Sequence, residues 1–175
     1  KRDWSSDLCS SDLVFDAFGS AHRRHASTVG IARHLPTCAG FVVQHEVAAL
    51  ESLRDSGALD GAVVVAGGAK AAEKLPALAR LAERAQAILV GGVVAHVLLA
   101  ATGEAELGAS IVDRSALDAA REVVAVAARS GCDLVLPTDV IATDGLTTDA
   151  RIRVEGARTV PEGAIALDIG PETRA

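Results

Sequence analysis

"GAVVVAGGAKAAEK", residues 61–74, decides the fold. A β-branched run ends in Gly67–Gly68, and a helical pattern follows at once. Leu75, Leu78, Leu81 and Ala82 in "AKAAEKLPALARLAERA" fall at helical spacing. "AILVGG" repeats the phrase with Gly91–Gly92, and "VVAHVLLAATG" reads as a short helix ending at Gly103. A second amphipathic helix is predicted from Arg114 to Ser130, with Leu117, Ala120, Val124 and Ala127 on one face, stopped by "SGCD". "LVLPTDV", broken by Pro137, "IRVEG" and "AIALDIG" read as further strands. Continuous apolar strands alternating with helices imply an α/β fold. The expectation is a three-layer, doubly wound, Rossmann-like parallel sheet covered on both faces. Ligands in such folds bind beyond the carboxyl ends of the strands.

Upstream, "GFVVQHEVAALESLRDSG" reads as one amphipathic helix whose apolar face includes Phe41, Val47, Leu50 and Leu53. "STVGIARHLP" reads as a turn and short helix closed by Pro36. The polar stretch "RDSGALDG" is the best boundary in the chain, and what precedes it is too small for a domain. "LDIGPETRA" reads as a strand, a Gly-Pro turn and the first residues of a helix.

Composition narrows the function classes. Aromatics are only 2% of residues, so the core must be built from Ala, Val, Leu and Ile. The net charge of −6 provides no electrostatic footprint for nucleic acid, and no nucleic-acid partner is expected. No apolar stretch reaches the ~18 residues of a membrane span, so no membrane partner is expected either. Cys38 and Cys132 are isolated and read as buried free thiols in a reducing cytosol; Cys9 belongs to the leader.

The leader, residues 1–13, differs in style. "DWSSDLCSSDL", Asp3–Leu13, is acidic and serine-rich and lacks the apolar stretch of a signal peptide. It reads as a disordered tail or as an artefact, because apart from Leu8 it resembles the translation of a common sequencing adapter. The artefact reading is preferred, with the natural chain cut where the adapter joins.

Three clusters carry chemistry. Gly67, Gly68 and Ala69 lead into Lys70, with Lys74 four residues later and expected on the same helix face. Such a turn admits an anion to backbone N–H groups, and two ammonium groups neutralise a transferring phosphoryl group. A tight turn with two solvated lysines is the competing reading. Gly91 and Gly92 suit either a flat base sliding against bare backbone or close helix–strand packing. "DAFGSAHRRHAS" gathers Asp16, His22, Arg23, Arg24, His25 and Ser27, either as an anion clamp or as a helix cap with solvated basic residues. It lacks metal-ligand spacing. G-x-x-x-x-G-K-[ST] and G-x-G-x-x-G are both absent, which argues against a P-loop and against a dinucleotide-binding Rossmann enzyme.

Taken in order, "DAFGSAHRRHAS", "LP", "AGF", "GGAKAAEK", "LVGG", "LPTDV" and "LDIGPET" resemble the phosphoglycerate kinases over essentially all of residues 14–175. The resemblance implies that 14–40 is a remnant of the N-terminal substrate domain and 41–56 an interdomain helix. It makes 57–175 part of the C-terminal nucleotide-binding domain. It implies phosphoryl transfer between ATP or ADP, with magnesium, and 3-phosphoglycerate or 1,3-bisphosphoglycerate in glycolysis. The full-length protein would be cytoplasmic and monomeric. Arg23, with His22 beside it, would grip the phosphoglycerate. Lys70 and Lys74 would contact nucleotide and transferred phosphate, and Gly91–Gly92 would lie beside the adenine.

The sequence departs from the family at Val93–Val94, where a third glycine and a methionine or leucine are usual. Asp60-Gly61 replaces Arg-Pro, and Ala109 replaces a lysine. The family's Asp-x-Asn-x-Pro segment and its C-terminal Gly-rich loop with the metal-binding aspartate are missing. An inactive fragment is therefore expected, and a diverged homologue that binds nucleotide or anion without catalysis is the alternative.

Overall fold

A computed structural model describes residues 12–175. The chain forms two compact units, one up to Ala58 and one over Leu59–Ala175. The leader through residue 11, including Trp4 and Cys9, lies outside the described residues.

In the first unit, β1 (Leu13–Phe15) pairs in parallel with β2 (Thr37–Ala39). Leu13, the last leader residue, is thus the first residue of a strand. Between them run short helical turns over Phe18–Ser20, Ala26–Gly30 and Ile31–Arg33. Helix α1 (Phe41–Asp55) follows. Asp16 starts it from outside: its carboxylate accepts the Val43 N–H at 3.0 Å. That satisfies one of the orphan donors of the first turn. Gly40 is needed there, because a Cβ would lie 2.3 Å from Asp16 Cγ. The expected apolar face of α1 is not a buried one. Phe41, Val47, Leu50 and Leu53 are exposed, and only Val43 is buried. Cys38 is likewise exposed rather than buried, whereas Cys132 in the second unit is buried.

The second unit begins with β3 (Val63–Ala66), α2 (Ala71–Ala82), β4 (Ala87–Val90) and α3 (Gly92–Ala101). Then come β5 (Glu106–Leu107), α4 (Leu117–Ser130) and β6 (Asp133–Val135). Strands β3, β4 and β6 form a parallel sheet in that order. The apolar spacing of α2 seats Ala71, Leu75, Leu78 and Ala82 in the core. They share one cluster with Ile88 and Val90 of β4, Val94, Val97 and Leu98 of α3, and Ala120, Val123 and Ala127 of α4. The buried stripe of α4 runs through Val123, with Val124 and Leu117 only half-buried. Gly131, at φ 76°, ends α4 in the left-handed conformation that favours glycine, and Cys132 N–H closes the turn on the Ala127 carbonyl at 3.0 Å. Pro76 sits inside α2, where it supplies no N–H to the ladder.

The α/β architecture of parallel strands alternating with helices is as expected, but two details of the sheet differ. Among the described residues the parallel sheet under the helices has three strands, β3, β4 and β6. Pro137 ends β6, and the chain passes into a separate antiparallel sheet, β10-β7-β8, made by β7 (Asp139–Thr143), β8 (Ile152–Gly156) and β10 (Ile165–Ile169). A short β9 (Thr159–Val160) pairs with β5. The parallel sheet is also covered on one face only among the described residues. Val64, Ala66 and Leu134 pack on the helical cluster, but Val63, Val65, Leu89 and Val135 are exposed. A second buried cluster joins Leu99 of α3 to Leu107, Val140, Ala142, Val160 and Ala166, tying the antiparallel sheet to α3. Arg158 seals the C-terminal end of α3, its guanidinium donating to the Leu99 carbonyl at 3.2 Å and to Thr102 Oγ1 at 2.7 Å.

Candidate functional site: a groove at the carboxyl ends of the parallel strands

β3 and β4 pair in register from Val63↔Ala87 to Ala66↔Val90, so their glycine pairs leave the sheet at the same level. The Gly91 N–H donates to the Ala66 carbonyl at 2.9 Å. A Cβ on Gly67 would lie 3.4 Å from the Gly91 carbonyl oxygen. One on Gly92, whose φ is +60°, would lie 3.1 Å from Gly68 N. Close packing therefore explains these glycines, but the contact is turn on turn rather than helix on strand.

The same turns line a groove of about 560 Å³, within the range usual for small-molecule sites. Its floor is the uncovered side of the sheet: Val65, Leu89 and Val135. Its far wall is Leu167, Asp168, Ile169 and Thr173. Leu167 is the extra residue of a β-bulge, since Ala166 pairs with Ala142 and Asp168 with Ile141. Bulges re-aim side chains beside binding sites.

The sequence reading misses this wall entirely. "LDIGPET" is visible as a motif, yet nothing local says that its residues meet the glycine turns. For the same reason the floor, expected from its apolar runs to be covered, is exposed.

The lysines do not share a helix face. Lys70 is the residue before α2, and its ammonium lies 3.6 Å from Glu73 Oε1 with both side chains exposed. Lys74 folds back and donates to the Gly67 carbonyl, placing its charge against the Gly67–Gly68 turn. Ala69 is an exposed link between that turn and the helix. Arg23 and His22 belong to the first unit. Both are exposed, and Arg23 Nε donates to His22 Nε2 at 3.4 Å. Asp16, grouped with them by sequence, is occupied as the cap of α1.

Asp139 organises the wall. The side chain is 6% exposed. It accepts the Glu172 N–H at 3.0 Å, the Thr173 N–H at 2.7 Å and the Thr173 hydroxyl at 2.6 Å. Burial alone would raise its pKa, but these hydrogen bonds outweigh it and hold the carboxyl below its ordinary value. Among the described residues no cluster of three or more His, Cys, Asp or Glu could hold a metal ion. The described residues thus provide no ready-made cluster for a magnesium ion. No helix among them is long and apolar enough to cross a membrane.

The sequence profile of the phosphoglycerate kinase family matches residues 6–175. The chain belongs to the phosphoglycerate kinase family. It is 43% identical over 160 residues to a phosphoglycerate kinase of Roseiflexus castenholzii, covering 91% of this chain and 40% of that protein. It is 43% identical over 162 residues to one from Thermus thermophilus, covering 93% and 41%. The solved phosphoglycerate kinase of Coxiella burnetii superposes with a TM-score of 0.76 at 35% identity, covering 97% of this chain and 44% of that one. The chain thus spans about two fifths of the curated relatives it matches.

Proposed function

We propose that the protein to which this chain belongs is a phosphoglycerate kinase. It moves a phosphoryl group reversibly between ATP or ADP and 3-phosphoglycerate or 1,3-bisphosphoglycerate. The second unit contributes the nucleotide site and the first unit part of the phosphoglycerate site. The observation that carries this reading is the groove, with two bare glycine turns on one side and an ammonium lying against one of them.

The apolar floor and the side-chain-free turns suit the flat faces of an adenine base. Lys74, released from the Gly67 carbonyl, and Lys70 suit the phosphates, with the N-terminal N–H groups of α2 adding positive potential. Phosphoryl transfer requires little covalent chemistry from the protein, so positioning and charge neutralisation are the work of these groups. Arg23 and His22 suit the phosphate or carboxylate of the three-carbon substrate, a guanidinium gripping oxygens in pairs. Bound magnesium would neutralise developing charge, although the described residues provide no cluster of three or more acidic, histidine or cysteine side chains to hold it. The free thiols Cys38 and Cys132 suit a cytoplasmic setting.

Alone, the 175-residue chain should hold nucleotide weakly and show no turnover with ATP, magnesium and 3-phosphoglycerate. ADP titration by calorimetry is the test. Saturable binding that weakens about tenfold, or 1.4 kcal/mol, in Lys74→Ala is expected. Absence of saturable ADP binding overturns the assignment of the groove. The diverged, non-catalytic homologue is the weaker reading. Asp60 and Ala109 motivate it, and Asp60 is engaged by Arg84 at 2.6 Å.

A further inference from the structure

We propose that Asp139 is a positioning residue of the groove: one buried carboxylate on β7 fixes the wall from Leu167 to Thr173 against which a ligand closes. The role in ligand binding rests on the nucleotide reading of the groove; the fixing of the wall does not.

Two irregularities coincide here. β10 bulges at Leu167, and directly after β10 the backbone turns through Gly170–Pro171. A bulge followed by a turn is expected to be loose, because ladder hydrogen bonds are lost. The wall is instead pinned from the neighbouring strand. The Asp139 side chain takes three donors from Glu172 and Thr173, and its own carbonyl accepts the Gly170 N–H at 2.9 Å. Thr173 Oγ1 in turn accepts the backbone N–H groups of Thr138 and Asp139, each at 3.1 Å. Gly170 leaves room for this lock, since a Cβ there would lie 2.1 Å from Asp139 Oδ2. A carboxylate receiving charge-assisted hydrogen bonds from a turn acts as a cap supplied from elsewhere in the chain. Leu167 and Thr173 lie on either side of the pinned turn, and both line the groove.

The 175-residue chain is compared as wild type, Asp139→Ala, Thr173→Val and Thr173→Ser, by amide hydrogen exchange and by ADP calorimetry. In Asp139→Ala and Thr173→Val the amides of Gly170, Glu172 and Thr173 should exchange at least tenfold faster, while those of β4 and α4 keep their wild-type rates. ADP affinity should fall about tenfold with them. Thr173→Ser keeps the hydroxyl and should restore both readouts, which a loss of mere bulk would not. Thr173→Val decides the matter if Asp139→Ala fails to fold. Wild-type protection of Glu172 and Thr173 in either lock-breaking variant overturns the proposal, as does unchanged ADP affinity with the wall loosened. If wild type itself binds no ADP, the nucleotide reading falls and, with it, the ligand half of the proposal. The exchange rates alone then decide whether Asp139 fixes the wall.

Discussion

Gly92 and Gly68 approach so closely that a Cβ on Gly92 would sit 3.1 Å from the Gly68 nitrogen, and Gly92 also adopts φ +60°. Gly92→Ala therefore meets two penalties, left-handed backbone strain and overpacking. Together they should cost about 2–4 kcal/mol, read as a lowered denaturation midpoint. Gly19→Ala, with no atom within 4 Å of its added Cβ, serves as the neutral control.

Pro76 interrupts the ladder of α2 at an exposed position. Alanine there provides the missing donor but enlarges the unfolded ensemble. The first effect is the larger, so Pro76→Ala should stabilise by about 1–2 kcal/mol. Urea unfolding with an unchanged slope is the check. A lower midpoint would show that the proline suits its local backbone.

His96 is buried on α3, and its Nδ1–H donates to the Ile111 carbonyl at 3.2 Å. Burial depresses its pKa below the ordinary 6.5, and the Ile111 hydrogen bond only partly opposes this. The unfolded chain then binds more protons than the folded one as pH falls through 6.5, so stability must decline with acidification. His96→Phe should flatten the stability–pH curve between about pH 6.5 and 5. An unchanged slope in that window would rule His96 out as its source. Asp139, depressed below 3.8, adds its own loss only at lower pH, as the carboxylate protonates.

Asp60 and Arg84 form an exposed ion pair at 2.6 Å, which lowers the Asp60 pKa through hydrogen bonding. Asp60→Arg, which reverses the charge at that position, sets two guanidinium groups side by side. The melting temperature should drop slightly at low salt, and the difference should fade at 1 M salt. A large, salt-independent loss would mean that Asp60 holds the Gly61 turn by more than charge.

Local sequence settled which segments become elements. The β-branched runs ending in glycine form β3 and β4, and apolar spacing places α2 and α4, because both signals act over a few residues. The ordered motifs were enough to suggest the family. What local spacing could not reveal were partners far apart in the chain. Asp139 meets Thr173 34 residues on, and Asp16 caps a helix 27 residues on. Asp60 finds Arg84 24 residues later. The lysine geometry failed on a smaller scale. The i, i+4 rule assumes that both residues are helical, whereas Lys70 precedes the first turn and Lys74 turns back to a carbonyl. The bare sheet face escaped notice because an apolar strand reads the same whether one face or both are covered. Only the packing of helices on one side distinguishes them, and that is decided by the assembled chain.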